Sequence, residues 1–135
     1  MTYKIDEIEG IGPANKEKLS AAQIETTDDL LSKCCDPAGR KATAASTGIG
    51  ESQLLTWANM ADLMRISGVG KQYAELLVAA GVDTVKELRQ RNAANLSATM
   101  KEINDQKNLA KTSPSESMVT DFIAKAKETE PLITH

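Results

Sequence analysis

The sequence predicts an all-α protein built from two tandem copies of one small helical unit, with about five short helices to each copy. Three observations predict it. Apolar residues recur at helical spacing along nearly the whole chain, and no alternating β-branched run interrupts them. Aromatic residues make up only 3% of 135 positions (Tyr3, Trp57, Tyr73 and Phe122), so Leu, Ile, Val, Ala and Met must fill the core, which suits closely packed short helices. The chain also repeats itself: Ile8-Glu9-Gly10-Ile11-Gly12 returns 58 residues later as Ile66-Ser67-Gly68-Val69-Gly70.

The match continues at that offset. Leu19 pairs with Leu77, Ala22 with Ala80, Ile24 with Val82, Thr26 with Thr84 and Leu30 with Leu88. Further on the offset becomes 65, pairing Leu54 with Val119, Trp57 with Phe122 and Ala61 with Ala126, as an insertion of seven residues between 88 and 119 would produce. The copies are placed at residues 1–61 and 62–128, leaving 129–135 as a C-terminal tail.

The elements follow in order. Gly12-Pro13 opens a helix carrying Asn15, Leu19 and Ala22, and Pro suits a first turn because its missing N–H has no partner there anyway. Thr27 stands as the cap before Leu30-Leu31, and Thr84 as the cap before Val85 to Leu88. The stretch from Glu51 presents Leu54, Trp57, Ala58 and Ala61 on one side. In the second copy Tyr73, Leu76, Leu77 and Ala80 form an apolar stripe, which Gly81 ends as a left-handed cap. Ser113-Pro114-Ser115-Glu116 reads as a capping box with Pro at the first helical position, and Met118, Phe122 and Ala126 follow on one face. Trp57 and Phe122 are expected in the core rather than as base-stacking residues.

Composition excludes several function classes. The net charge of −3 argues against a protein that coats nucleic acid by bulk charge. The charge is uneven, however: four Lys against eight acids over 1–39, seven basic against five acidic residues over 40–91, and five Lys against six acids beyond. A nucleic-acid surface would therefore lie mid-chain. The longest apolar stretch, Leu76 to Val82, is far short of the ~20 residues of a membrane span. No basic-then-apolar leader opens the chain, so a cytoplasmic protein is expected.

Chemistry narrows further. The only His is the last residue and the only Cys residues, Cys34 and Cys35, are adjacent, which removes zinc sites, His-based triads and a disulfide framework. The cysteines are expected as a reduced pair on a loop. Asp6, Glu7 and Glu9 read as a solvated face rather than a Mg²⁺ site, and there is no P-loop or dinucleotide fingerprint. No enzyme, metal or cofactor is expected.

The Gly-x-Gly turns carry the functional signal. Two glycines let the chain reverse in few residues, the apolar residue between them points back between the helices, and the N–H groups of the turn and of the next helix face outward together. Such a nest of main-chain donors can hold a phosphate.

These turns resemble the helix-hairpin-helix motif of DNA-repair and recombination proteins. Residues 8–60, from IEGIGPANKEKLSAAQIETTDDLL to TGIGESQLLTWANMA, are similar to the amino-terminal domain of RecA-type recombinases of archaea and eukaryotes, with Thr47-Gly48-Ile49-Gly50 as a second hairpin. Residues 62–91 look like the same module again, and nearly the whole chain resembles an uncharacterised bacterial family, a domain of unknown function, built from it in tandem. The resemblance implies an all-α fold of two five-helix units on paired hairpins.

On the DNA-binding version of the motif, Gly68, Val69, Gly70 and Lys71 would contact phosphate, with Arg65 nearby and Lys86, Arg89 and Arg91 on the next short helix. Gly10, Gly12, Lys16, Gly48 and Gly50 are secondary candidates. The first hairpin departs from the pattern, because Pro13 supplies no N–H and Asp6, Glu7 and Glu9 crowd its entrance, offset only by Lys16 and Lys18. Two functions fit: weak, sequence-independent binding of duplex or structured DNA, or a protein-interaction adaptor whose hairpins are only scaffold. A basic stripe over 62–91 would favour the first, and a large exposed apolar patch the second.

Overall fold

Every regular element in the computed structural model, which describes residues 2–135, is helical. A 3-10 turn at Ile5–Glu7 precedes α1 (Pro13–Ala21), α2 (Thr27–Cys34), α3 (Pro37–Thr47) and α4 (Glu51–Leu63). Then come α5 (Lys71–Ala79), α6 (Val85–Leu88), α7 (Ala93–Lys107) and α8 (Glu116–Lys127). No helix is long and apolar enough to cross a membrane among the described residues. The chain divides into two compact units, one of residues 2–62 together with Leu132–His135, the other of Leu63–Pro131.

In the first unit the N-terminal segment is stitched to the start of α2. The Ile5 N–H donates to the Glu25 carbonyl and the Thr27 N–H to that of Tyr3, both at 2.9 Å, around a single antiparallel bridge between Lys4 and Thr26. Thr26, not Thr27, caps α2: its Oγ1 accepts the Asp29 N–H at 3.1 Å while Asp29 Oδ2 accepts the N–H groups of Glu25 and Thr26. Thr27 is drawn inward instead, because its Oγ1 accepts the Tyr3 N–H at 3.1 Å and the residue is buried. The N–H of Glu25, with the help of Thr26, holds the Asp29 carboxyl below the ordinary aspartate value against the opposing pull of desolvation.

α2 packs on α3, and α3 reaches α1. Cys34 is not on a loop. It is the last residue of α2 and fully buried, and burial pushes its thiol pKa up, whereas the half-buried Cys35 caps the helix. The last four residues belong to this unit. Thr134 donates its N–H to the Cys35 carbonyl at 2.8 Å and accepts from Arg40 Nη2 at 2.7 Å, while Arg40 Nη1 donates to the Cys34 carbonyl at 3.1 Å.

In the second unit α8 packs on α7 and α6, and α5 packs on α7. The cap of α8 is Ser115, two residues later than the sequence suggested: Ser115 Oγ accepts the Met118 N–H at 3.2 Å, and Pro114 is buried just before it. α8 buries Val119, Phe122, Ile123 and Ala126, whereas Met118 stays 39% exposed. Steps of four residues drift by ~40° each around a helix, so Met118 slides off the stripe that Phe122 and Ala126 define.

The same hydrogen bonds recur 58 residues apart. Ile11 N–H to Ile8 O (3.2 Å) matches Val69 N–H to Ile66 O (3.0 Å), and Lys16 to Gly12 matches Ala74 to Gly70, both 2.9 Å. Ile24 to Leu19 matches Val82 to Leu77, again both 2.9 Å, and Leu30 to Thr26 matches Leu88 to Thr84. Beyond that point the halves differ in length. α3 has 11 residues and α7 has 15. Residues 48–50 join α3 to α4, but 108–115 join α7 to α8. The longer link is held by the buried Asn104, whose amide donates to the Ala110 carbonyl at 3.1 Å and accepts the Ala110 N–H at 2.8 Å.

Candidate functional site

The turn at Gly68-Val69-Gly70 is set by its apolar centre. Val69 is fully buried and its N–H closes onto the Ile66 carbonyl at 3.0 Å, which turns the flanking glycines outward. Gly68 has φ of +95°, a left-handed conformation, and a side chain there would begin 3.1 Å from the Phe122 ring. Gly70 is the N-cap of α5 and contributes no side-chain hydrogen bond to it. The first i to i−4 bond is Ala74 to Gly70, so the N–H groups of the first turn have no acceptor within the helix. With the helix dipole behind them they form a positive main-chain surface.

An open depression of about 480 Å³ lies over this turn, bounded by Gly68, Gly70, Lys71, Gln72 and Tyr73. Lys71 and Gln72 are exposed, and Tyr73 is half-buried with its ring 6.0 Å from that of Phe122, tilted by 54°. The structure thus brings Gly68, Gly70 and Lys71 into one continuous surface, with Val69 buried beneath it. It adds one lysine that sequence reasoning missed. Lys125 of α8 places Nζ 3.2 Å from the Ser67 carbonyl and 2.8 Å from Asp121 Oδ2, and the main chain at Lys111 also meets the turn, its N–H donating to Gln72 Oε1 at 3.3 Å. Both contacts come from about 40 residues or more along the chain, beyond the reach of any local pattern.

The arginines expected near the turn serve the unit's own backbone. Arg65 Nη2 donates to the Glu130 carbonyl at 2.6 Å. Arg89 spans the end of α8, with Nε on the Ala126 carbonyl at 2.8 Å and Nη2 on those of Lys127 and Thr129. Arg91 pairs with Glu87 at 3.1 Å and donates to the Gly81 carbonyl at 3.0 Å. Lys86 is exposed on α6.

The first unit has the same turn with different chemistry. Gly10 has φ of +93° with Trp57 Nε1 3.5 Å from where its side chain would begin, and Ile11 is buried. Gly12 caps α1, but Pro13 occupies the first helical position, and Lys16 pairs with Asp6 at 3.3 Å. At the other turn Gly48 ends α3 at φ of +78°, Ile49 is buried with its N–H on Thr47 Oγ1 at 3.2 Å, and Gly50 accepts the Leu54 N–H at the start of α4. Gly10, Gly12, Gly48 and Gly50 thus serve turns and helix ends.

No curated protein and no solved structure matches the chain. A family model does, over residues 9–129, and the chain accordingly belongs to DUF4332, a domain of unknown function.

Proposed function

We propose that this chain is a tandem of helix-hairpin-helix units, similar in kind to the amino-terminal domain of RecA-type recombinases, and that it binds DNA without sequence preference and without catalysis. Support for the tandem reading comes from turns whose φ angles, +93° at Gly10 and +95° at Gly68, and whose hydrogen bonds repeat at an offset of 58. The aromatic behind each turn repeats as well, Trp57 behind Gly10 and Phe122 behind Gly68. On this reading the Gly-x-Gly turns join helices in both units, and the turn at Gly68-Val69-Gly70 is the one that sets a lysine beside its first-turn amides, where Pro13 and Glu51 follow the other two.

The observation that carries the DNA reading is the second-unit turn itself. Gly70 leaves the first-turn amides of α5 without a side-chain cap, Lys71 follows it directly, and the surface above is open. A phosphate oxygen at that point would accept main-chain hydrogen bonds and face the positive end of the helix. The first-unit turn lacks this chemistry because Pro13 replaces a donor at the first helical position.

The test is fluorescence anisotropy with a labelled duplex at several salt concentrations. Affinity near micromolar or weaker is expected, with a slope of about −2 to −4 in log affinity against log salt, as contact with two to four phosphates gives. Lys71→Glu should weaken binding and flatten the slope, and Lys16→Glu should do little. Absence of binding to duplex, junction and single-stranded DNA at low salt would overturn the reading in favour of a protein-binding adaptor. Equal losses from both substitutions would move the contact away from the second-unit turn.

A further inference from the structure

The second-unit turn carries a cation that its counterpart lacks, and that cation is held in check by an acid. Lys125 reaches the turn from α8, with Nζ 3.2 Å from the Ser67 carbonyl, one residue before Gly68. Its other partner is Asp121 Oδ2, one helical turn back at 2.8 Å. At the offset of 65, Met60 stands in the first unit where Lys125 stands in the second, and Thr56 where Asp121 stands; at the offset of 58, Glu9 stands where Ser67 stands. The first-unit turn has a Lys16–Asp6 pair built from its own α1, but no pair on the helix matching α8, so the Lys125–Asp121 arrangement is particular to the turn proposed to bind phosphate.

An ammonium has three donors, and the Ser67 carbonyl and Asp121 use two of them. The side chains of Lys125 and Asp121 are 38% and 57% exposed, so the pair meets solvent and an incoming anion. A carboxylate and a phosphate oxygen are alike to an ammonium: each is an anionic acceptor for a short, charge-assisted bond. An exposed pair of this kind contributes little to stability, so exchanging one anion for the other costs little.

From this, and resting on the DNA reading above, we infer that Lys125 is a second phosphate-contacting residue of the turn and that Asp121 is a built-in competitor occupying it in the absence of DNA. The Ser67 carbonyl fixes the ammonium beside the turn. Asp121 satisfies it there and lowers affinity for the backbone phosphate that displaces it.

The experiment is the same anisotropy titration on Lys125→Met, Asp121→Asn, the double variant and Glu128→Gln, the last removing one acid from the end of the same helix. Lys125→Met should weaken binding on the order of tenfold and reduce the salt slope by about 0.9, the loss of one phosphate contact. Asp121→Asn should tighten binding several-fold, well beyond Glu128→Gln, and this gain should largely vanish in the Lys125→Met background. Lys125→Arg should restore the slope. Thermal melts by circular dichroism identify any variant that fails to fold, and Asp121→Asn tests the idea even if Lys125→Met does. An unchanged slope in Lys125→Met, or an equal Asp121→Asn gain in both backgrounds, would overturn the inference while Lys71→Glu still reports on the DNA reading. Failure of the parent protein to bind any DNA would overturn the reading and the inference with it.

Discussion

Substituting alanine for glycine at the two matching turns separates backbone conformation from packing. Gly10 and Gly68 share nearly the same φ, +93° and +95°, so the strain on an L-residue should be nearly the same at both, ~1–2 kcal/mol. Stiffening of the unfolded chain gives back ~0.5–1 kcal/mol, which leaves about 1 kcal/mol at either turn. The surroundings then divide the pair. At Gly10 the new methyl would sit 3.5 Å from Trp57 Nε1, an ordinary contact, whereas at Gly68 it would sit 3.1 Å from Phe122 Cε1. Phe122 is 2% exposed and backed by the Tyr73 ring, so it has little room to move away. Overpacking of this sort costs at least ~1 kcal/mol, and Gly68→Ala should lose about 2–3 kcal/mol against about 1 for Gly10→Ala. Urea unfolding followed by far-ultraviolet circular dichroism gives both values. Trp57 is the only tryptophan and lies behind Gly10, so its fluorescence follows the first unit by itself. A Gly68→Ala protein as stable as its parent would show that this turn is not left-handed, and a larger cost at Gly10 would refute the packing argument.

Further stability tests use the same unfolding measurement. Gln23 has φ of +67° where the matching Gly81 has +92°, so Gln23→Gly should stabilise by about 0.5–1 kcal/mol and Gly81→Gln should destabilise. A loss of stability in Gln23→Gly would contradict the left-handed assignment. Asp29 has a folded pKa below its unfolded value, so its contribution is full above the unfolded value and disappears as pH falls through the folded one. Asp29→Asn should therefore lower stability at neutral pH, and the difference from the parent should shrink as pH falls below about 4. A difference that holds constant down to strongly acid pH would refute the role of the carboxylate.

What was legible in the sequence is what local physics decides. Helical spacing of Leu and Ile residues gave the all-α class, and the recurrence of Gly-x-Gly with one apolar residue between located buried Ile11 and Val69. The aromatic pair was legible too: Trp57 and Phe122, matched at an offset of 65, are both 2% exposed. The misplacements came from partners distant in sequence. Of two adjacent threonines, Thr26 caps α2 because the Tyr3 N–H, 24 residues away, engages Thr27. The contact of Arg40 with Thr134, 94 residues away, had no sign in the sequence either. Lys125 escaped notice for the same reason, since nothing near Ser67 announces a lysine 58 residues later.

The division of labour between the two kinds of cation bears on what kind of contact the molecule can make. Arg40, Arg65, Arg89 and Arg91 each donate to at least one main-chain carbonyl, Arg40 and Arg89 at the ends of α2 and α8. A planar guanidinium suits that role because it can serve several carbonyls at once where the helix dipole is negative. It is also the group that reads guanine edges bidentately, so an arginine tied to the backbone is withdrawn from base recognition. Around the second turn the side-chain cations are Lys71 and Lys125, compact charges that meet a phosphate from many directions and carry no fork to match a base. Main-chain amides discriminate between bases no better. A surface made of helix-terminal amides and lysines is therefore suited to the repeating part of DNA, and its binding should depend on salt far more than on sequence.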